Sequence, residues 1–295
     1  MSDRSNLMDS AGQGITRGMP EKRWLTVARR MAIACVLLAT ASASAIAQQR
    51  PDQQKPKEQS CRDVTFETVQ YTVCTVDLAT HEIQIAWKAP NGEAYGNLGS
   101  FARAQTRAGA TPLFAMNAGM YHADGRPVGL YVEGGRELTK ISTTRGPGNF
   151  HMKPNGVFYV TGAEAGVLET GRYIKAKPNA QFATQSGPML VIDGKLHPRF
   201  SADGPSLKIR NGVGVRDAKT VVFAISNDGV SFGSFARLFR DELKCNNALY
   251  LDGSISSLWA PSAGRQDELW PVGPIVAAIP RLPAAKATAP AGQAR

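Results

Sequence analysis

Four short stretches of this chain interrupt apolar runs with groups able to hold or cleave a polar ligand. In FAMNAGMY, Asn117 and Gly119 follow the run that ends at Met116. In ATQSGPMLV, Gln185, Ser186 and Gly187 stand just before one, and LKIRNGVGV holds Arg210 and Asn211 followed by Gly212 and Gly214. The last stretch, ALYLDGSISS, places Asp252, Gly253, Ser254, Ser256 and Ser257 directly after Leu249, Tyr250 and Leu251. A carboxylate at a strand end can act as a base, amides hydrogen-bond sugar hydroxyls, and a guanidinium fork suits phosphate. Glycines let backbone N–H groups come close to a ligand. That inventory fits a phosphorylated sugar better than an apolar ligand. Singly, each piece has a plainer reading: Asn-Ala-Gly and Asp-Gly are turn sequences, Ser-Gly-Pro is a bend into a strand, and an arginine on a sheet face can pair with a surface acid. Four such clusters, each at a strand end, favour a site built by convergence.

Other chemistries lack their signatures. There is no Walker A loop, no His-Glu-x-x-His and no Cys-x-x-Cys. His81, His122, His151 and His197 are scattered, so spacing signals neither a metal site nor a catalytic triad, and no metal or cofactor is expected. A serine nucleophile at Ser186 or Ser254 has no visible base partner. Lys and Arg number 34 against 24 Asp and Glu, a formal net charge of +10, but no basic run marks a nucleic-acid footprint. The charge suits an acidic or phosphate-bearing substrate and adhesion to an anionic envelope equally, so it narrows little; the polar inventory above is what favours a phosphorylated sugar or anionic polysaccharide as partner.

Elements must bring those clusters together, and the N-terminal part of the chain supplies none. EKRWLTVARR is followed by the uncharged run Met31–Ala47, which ends in Ala45-Ile46-Ala47. A basic segment, a short apolar segment and a small-x-small end describe a secretory signal, so residues 1–47 read as an N-terminal extension and signal peptide. The run is short for a span and diluted by Ser and Thr, so no membrane span is expected after its removal, and the protein is expected to be periplasmic or secreted. Residues 48–60, QQRPDQQKPKEQS, form a polar linker. In an oxidising compartment Cys61 and Cys74, flanking two alternating strands, suit a disulfide worth on the order of 3 kcal/mol, which leaves Cys245 a buried thiol.

From Cys61 onward, period-two alternation predicts many strands, with hairpins at Gly134-Gly135 and Asp193-Gly194. A helix is predicted from an Asn97 cap to Gly109, and a second in SFGSFARLFRDELK, where Phe232, Phe235, Ala236, Phe239 and Leu243 share a face. The expectation is one α+β domain over 61–280, a mixed, mostly antiparallel β-sheet core with a few helices, and a disordered tail over 281–295.

MNAGMY, PNGVFY, ATQSGPMLV, RNGVGV and NALYLDGSIS, in this order and spacing, resemble the phosphodiester glycosidase domain family over about 61–280. Members resemble Asn-Leu-Asp-Gly-Gly-Gly-Ser-Ser at the last motif, where this chain has Ser254 and Ile255 in place of two glycines. The resemblance implies hydrolysis of a sugar 1-phosphodiester at the anomeric carbon. It assigns Asp252 as base or charge stabiliser and Arg210 to the phosphate. Asn117 and Gln185 are assigned to sugar hydroxyls, with Ser186, Gly253, Ser254, Ser256 and the amides around Gly119 and Gly187 assisting. Glu133 and Asp228 are the reserve carboxylates. The alternative is a non-catalytic envelope or exopolysaccharide-associated protein that binds saccharide without cutting it.

Overall fold

Alternation decides the layering. In Thr220–Ser226, the side chains of Val221, Phe223 and Ile225 enter one buried cluster while those of Val222 and Ala224 enter another. A strand buried on both faces must lie inside a sheet that is covered on both sides. The computed structural model describes residues 61–252 and 254–281. The expected signal peptide, the linker, Gly253 and the tail beyond Arg281 lie outside these residues.

The described residues belong to one compact unit and form three sheets. The central sheet has seven strands in the order Cys61–Phe66, Val69–Asp77, Thr220–Ser226, Asn211–Val215, Asn247–Asp252, Met189–Ile192, Lys195–Leu196. The second runs Arg265–Gln266, Leu258–Ala260, Phe114–Asn117, Ile275–Pro280, His81–Ala86. The third runs Arg136–Thr139, Tyr131–Glu133, Phe182–Ser186, Gly156–Val160, Ala165–Glu169. Every pairing within them is antiparallel. One core joins all three, with Phe223 and Leu249 from the first, Phe114 and Met116 from the second, and Tyr131 and Phe158 from the third. Each of these large side chains contributes roughly 1.5–3 kcal/mol on burial.

Helices cover the outer faces. Helix α1, Leu98–Arg107, starts where Asn97 Oδ1 accepts from the Ser100 N–H at 2.8 Å and lays Leu98 and Phe101 against Ala115 and Ile275 of the second sheet. Helix α2, Thr170–Ala176, carries no apolar stripe long enough to be read from sequence, and it packs Tyr173 on the third sheet. Helix α3, Phe232–Arg237, continues into a π-helical turn, Leu238–Glu242, so the second predicted helix is present but wider at its end. Its Phe235 and Phe239 cover the central sheet at Gly212 and Gly214, where a Cβ would collide with those rings and with the Cys245 thiol. These two glycines therefore admit protein, not ligand. Cys61 and Cys74 face each other across the first hairpin and are bonded, S–S 2.03 Å, and Cys245 is free and buried. Arg281, expected in the tail, is held to the domain by its guanidinium on the carbonyls of Leu78 and Gly162.

Candidate active site

Asp252 ends its strand against Asn211, at a register irregularity in the ladder between the two strands. An irregular ladder frees backbone groups, and here side chains take them. Asn211 Oδ1 accepts from the Asp252 N–H at 2.9 Å, and Asn211 Nδ2 donates to Asn117 Oδ1 at 2.8 Å. Asn117 Oδ1 also accepts from the Ser257 N–H at 2.9 Å. Both ends of the turn 252–257 are thus fixed by one pair of fully buried asparagines drawn from two sheets. Ser186 Oγ donates to the Leu251 carbonyl at 2.9 Å, and Ser256 Oγ to the Asp252 carbonyl at 2.7 Å. The Ser254 N–H closes the turn onto Asp252 Oδ1 at 2.9 Å.

This turn opens on a hollow of about 600 Å³. Its polar lining comes from Asp252 and Ser254, from Tyr121 and His122 on one hairpin, and from Asn149 and His151 on the loop opposite. Phe150, Met120 and Ile255 supply apolar wall. The Tyr121 hydroxyl donates to the Pro271 carbonyl at 3.2 Å. Burial, reinforced by the Asp252 carboxylate, pushes its pKa up to about 12, so it remains a neutral donor at working pH.

Of the residues chosen from sequence, the structure brings Asp252 and Ser254 to the hollow. Gly253 lies outside the described residues. Asn117, Gln185 and Ser186 are fully buried and spend their acceptors and hydroxyls on the protein. Gln185 Oε1 accepts from the N–H groups of Leu130 and Ser142, and its Nε2 donates to the Ser142 carbonyl and Thr170 hydroxyl, which anchors the root of the 142–149 loop. The expectation that Gln185 binds sugar hydroxyls is corrected: a buried amide with four partners has none left to offer. Gly119 and Gly187 do permit close approach, but to Thr184 and to Asn155 with the Asn149–Phe150 backbone respectively. At Gly129, φ is +84° and a Cβ would strike Phe150 and Gln185, so this glycine seats the same wall.

Arg210 is corrected as well. Its guanidinium is 1% exposed and lies 3.7 Å over the Phe232 ring. It donates to the carbonyls of Val230 and Ser206 at 2.8 Å each and to the Tyr250 hydroxyl at 3.3 Å. Burial lowers its pKa from the ordinary value. A cation so enclosed cannot grip phosphate directly, but Tyr250 also hydrogen-bonds the Asn149 side chain, which does line the hollow. The reserve carboxylates are elsewhere: Glu133 accepts from the Tyr131 hydroxyl at 2.7 Å, and Asp228 is an exposed surface residue. The Gly229–Gly233 stretch matches Gly-x-Ser-x-Gly, yet Ser231 caps α3 through the Ser234 N–H, with no histidine hydrogen-bonded to it among the described residues. What sequence reasoning missed are His122, Asn149 and His151, loop residues whose only signal was polarity among other polar residues. Among the described residues, no three or more His, Cys, Asp or Glu cluster as a metal ion would need.

Comparison with known proteins bears on this geometry. Residues 110–277 match the family model described as phosphodiester glycosidase. Over 185 residues the chain is 37% identical to the uncharacterised protein YigE of Escherichia coli strain K12, covering 63% of this chain and 72% of that one. Among solved structures, the catalytic domain of zebrafish N-acetylglucosamine-1-phosphodiester alpha-N-acetylglucosaminidase, auto-inhibited by its pro-peptide, matches at a TM-score of 0.50 and 13% identity, over 74% of this chain and 80% of that one. A hypothetical protein from Synechocystis matches at 0.50 and 15%, over 75% and 61%. At such identities the structural matches speak for the fold.

Proposed function

The chain belongs to the phosphodiester glycosidase family, and from that premise we propose that it is an exported hydrolase that cleaves a sugar 1-phosphodiester at the anomeric carbon, in the hollow around Asp252. One observation carries this reading. The carboxylate of the family-like motif opens on a cavity of about 600 Å³ whose other polar groups are hydroxyls, an amide and two imidazoles. That volume is within the range of small-molecule sites, and those groups suit a saccharide and an anion.

The reaction asks little of an acid. The anomeric C–O bond breaks with its electron pair leaving on a phosphate monoester, a stable anion, while a water supplies the new C–O bond and gives up a proton. In this reading Asp252 takes that proton or stabilises the oxocarbenium-like charge. With Arg210 enclosed, His122 and His151 are the side chains of the hollow that can offer the phosphate an N–H donor. The Cys61–Cys74 bond fits an oxidising compartment. No helix among the described residues is long and apolar enough to cross a membrane.

The test is to incubate the protein with methyl and nitrophenyl phosphodiesters of sugar 1-phosphates and measure released free sugar. Turnover that Asp252→Asn reduces at least a hundredfold supports the reading. Calorimetric binding of the same diesters without release of sugar would instead make this a saccharide-binding protein. The observation favouring that second reading is Ile255, a branched side chain on the cavity wall where the family motif has glycine.

A further inference from the structure

A second and larger concavity, about 780 Å³, lies between the edge of the second sheet and the outer strands of the third. Trp87, Tyr95 and Leu138 give it an apolar floor, and Lys88, Arg136 and Gln105 give it polar edges. Lys88 Nζ sits 4.4 Å over the Trp87 ring, and Leu138 is 51% exposed. Glu133 is on the same wall, but its carboxylate is engaged by Tyr131. With Lys88 and Arg136 against the single carboxylate of Glu133, the charge lining this groove is net cationic.

The groove adjoins the catalytic hollow. Trp87 packs against Gly125 of the hairpin that carries Tyr121 and His122. From the other side, the Tyr121 hydroxyl bonds the Pro271 carbonyl, and the next residue, Val272, donates its N–H to the Gly96 carbonyl beside Tyr95. The residues immediately before Pro271 are Leu269 and Trp270, 91% and 63% exposed, so a solvent-facing indole lies next in sequence to the carbonyl that holds Tyr121. Aromatic faces with amide and cationic edges suit a sugar ring that is apolar on its faces and polar around its rim.

We infer that the chain holds the polymer part of an anionic polysaccharide along a track from the Asp252 hollow, past Trp270, to the groove of Trp87 and Tyr95. This rests on the reading above and deepens it: the scissile diester is carried on a polysaccharide, and the track binds the glycan on the far side of the bond.

Trp270→Ala and Leu138→Asp change exposed side chains and leave the core intact. Two assays are run on wild type and both variants. In affinity electrophoresis through phosphomannan, alginate and dextran, wild type is retarded by at least one of the two anionic polymers, more than by dextran, and each variant loses most of that retardation. In turnover, KM for phosphomannan rises about tenfold in each variant, while kcat/KM for methyl mannose 1-phosphate is unchanged. The two readings fail separately. If Asp252→Asn leaves small-diester turnover intact, the catalytic assignment falls, yet electrophoretic retardation lost in both variants still upholds the track. If no polymer retards wild type, or both variants run as wild type, the track is wrong. Loss of vesicle binding or of self-association in Trp270→Ala with glycan retardation intact would assign Trp270 to a membrane or a second copy and equally overturn it.

Discussion

Two sets of polar residues meet at Asp252 and are held in opposite ways. Beneath it, Asn117, Asn211, Gln185, Ser186 and Arg210 are buried in or beside strands and aim their hydrogen bonds at backbone. Above it, Tyr121, His122, Asn149 and His151 stand on loops around open space. The difference follows from desolvation. A polar group inside a sheet must find protein partners, or it costs about 1–3 kcal/mol, so the lower set becomes a jig that fixes the turn 252–257 and the root of the 142–149 loop. In the upper set Tyr121, Asn149 and His151 each hold one protein partner while lining the space a ligand would fill. Asp252, 7% exposed, belongs to both: its backbone is fixed from below and its carboxylate lines the hollow.

The comparison predicts that the two sets fail differently, and Asp252→Asn is its sharpest case. The amide keeps the shape and can still accept from the Ser254 N–H, so unfolding temperature should stay within a few degrees while kcat/KM drops roughly 10²- to 10⁴-fold, as loss of a base requires. An equal loss of stability would mean that the carboxylate belongs to the jig. Next in size is Arg210→Met. It strips hydrogen bonds from two carbonyls and the Tyr250 hydroxyl, for an expected loss of about 3 kcal/mol in denaturant unfolding. Arg210→Lys should rescue little, because an ammonium cannot reproduce the planar fork over Phe232. If Arg210→Met unfolded like wild type but lost phosphate-dependent binding, the arginine would belong to the ligand after all.

The same physics explains what the sequence could disclose. Strands such as Thr220–Ser226 were legible because apolar residues dominate and alternate, and α1 because Asn97 caps an apolar stripe. Asn117, Gln185 and Arg210 stood out because a polar residue in an apolar run is conspicuous. It is conspicuous for the reason that it is buried, which is why these residues spend their hydrogen bonds on the protein. His122, Asn149 and His151 lie in loops where polar residues are ordinary, and their convergence depends on how three sheets pack, which no local pattern encodes. Helix α2 and the π-helical turn escaped for a related reason, since both are short and are settled by packing on a sheet.

Smaller effects refine the boundary between the sets. Asn149 lines the hollow yet bonds Tyr250, so it is where the jig touches the rim. Asn149→Ala should lower kcat/KM about tenfold, the equivalent of one hydrogen bond, with little change in unfolding temperature. A large fall in stability would move Asn149 into the lower set.

The smallest predicted effect concerns His197, buried behind Arg210 in a stack with Phe200, itself stacked on Phe232. Burial, and secondarily the Arg199 charge, lowers the pKa of its imidazole below the ordinary 6.5, against a raising contribution from the Lys153 backbone. Below pH 6.5 the unfolded chain therefore binds a proton that the folded chain still refuses. Stability from this residue is fully present above 6.5 and is lost as pH falls from there through the folded value. Urea unfolding at pH 8 and pH 5.5 should show a smaller acid loss in His197→Phe, which keeps the stack, than in wild type. Equal losses would show that His197 titrates alike in both states. A shift in the pH dependence of turnover without a change in stability would place His197, despite its burial, among the groups that serve the ligand.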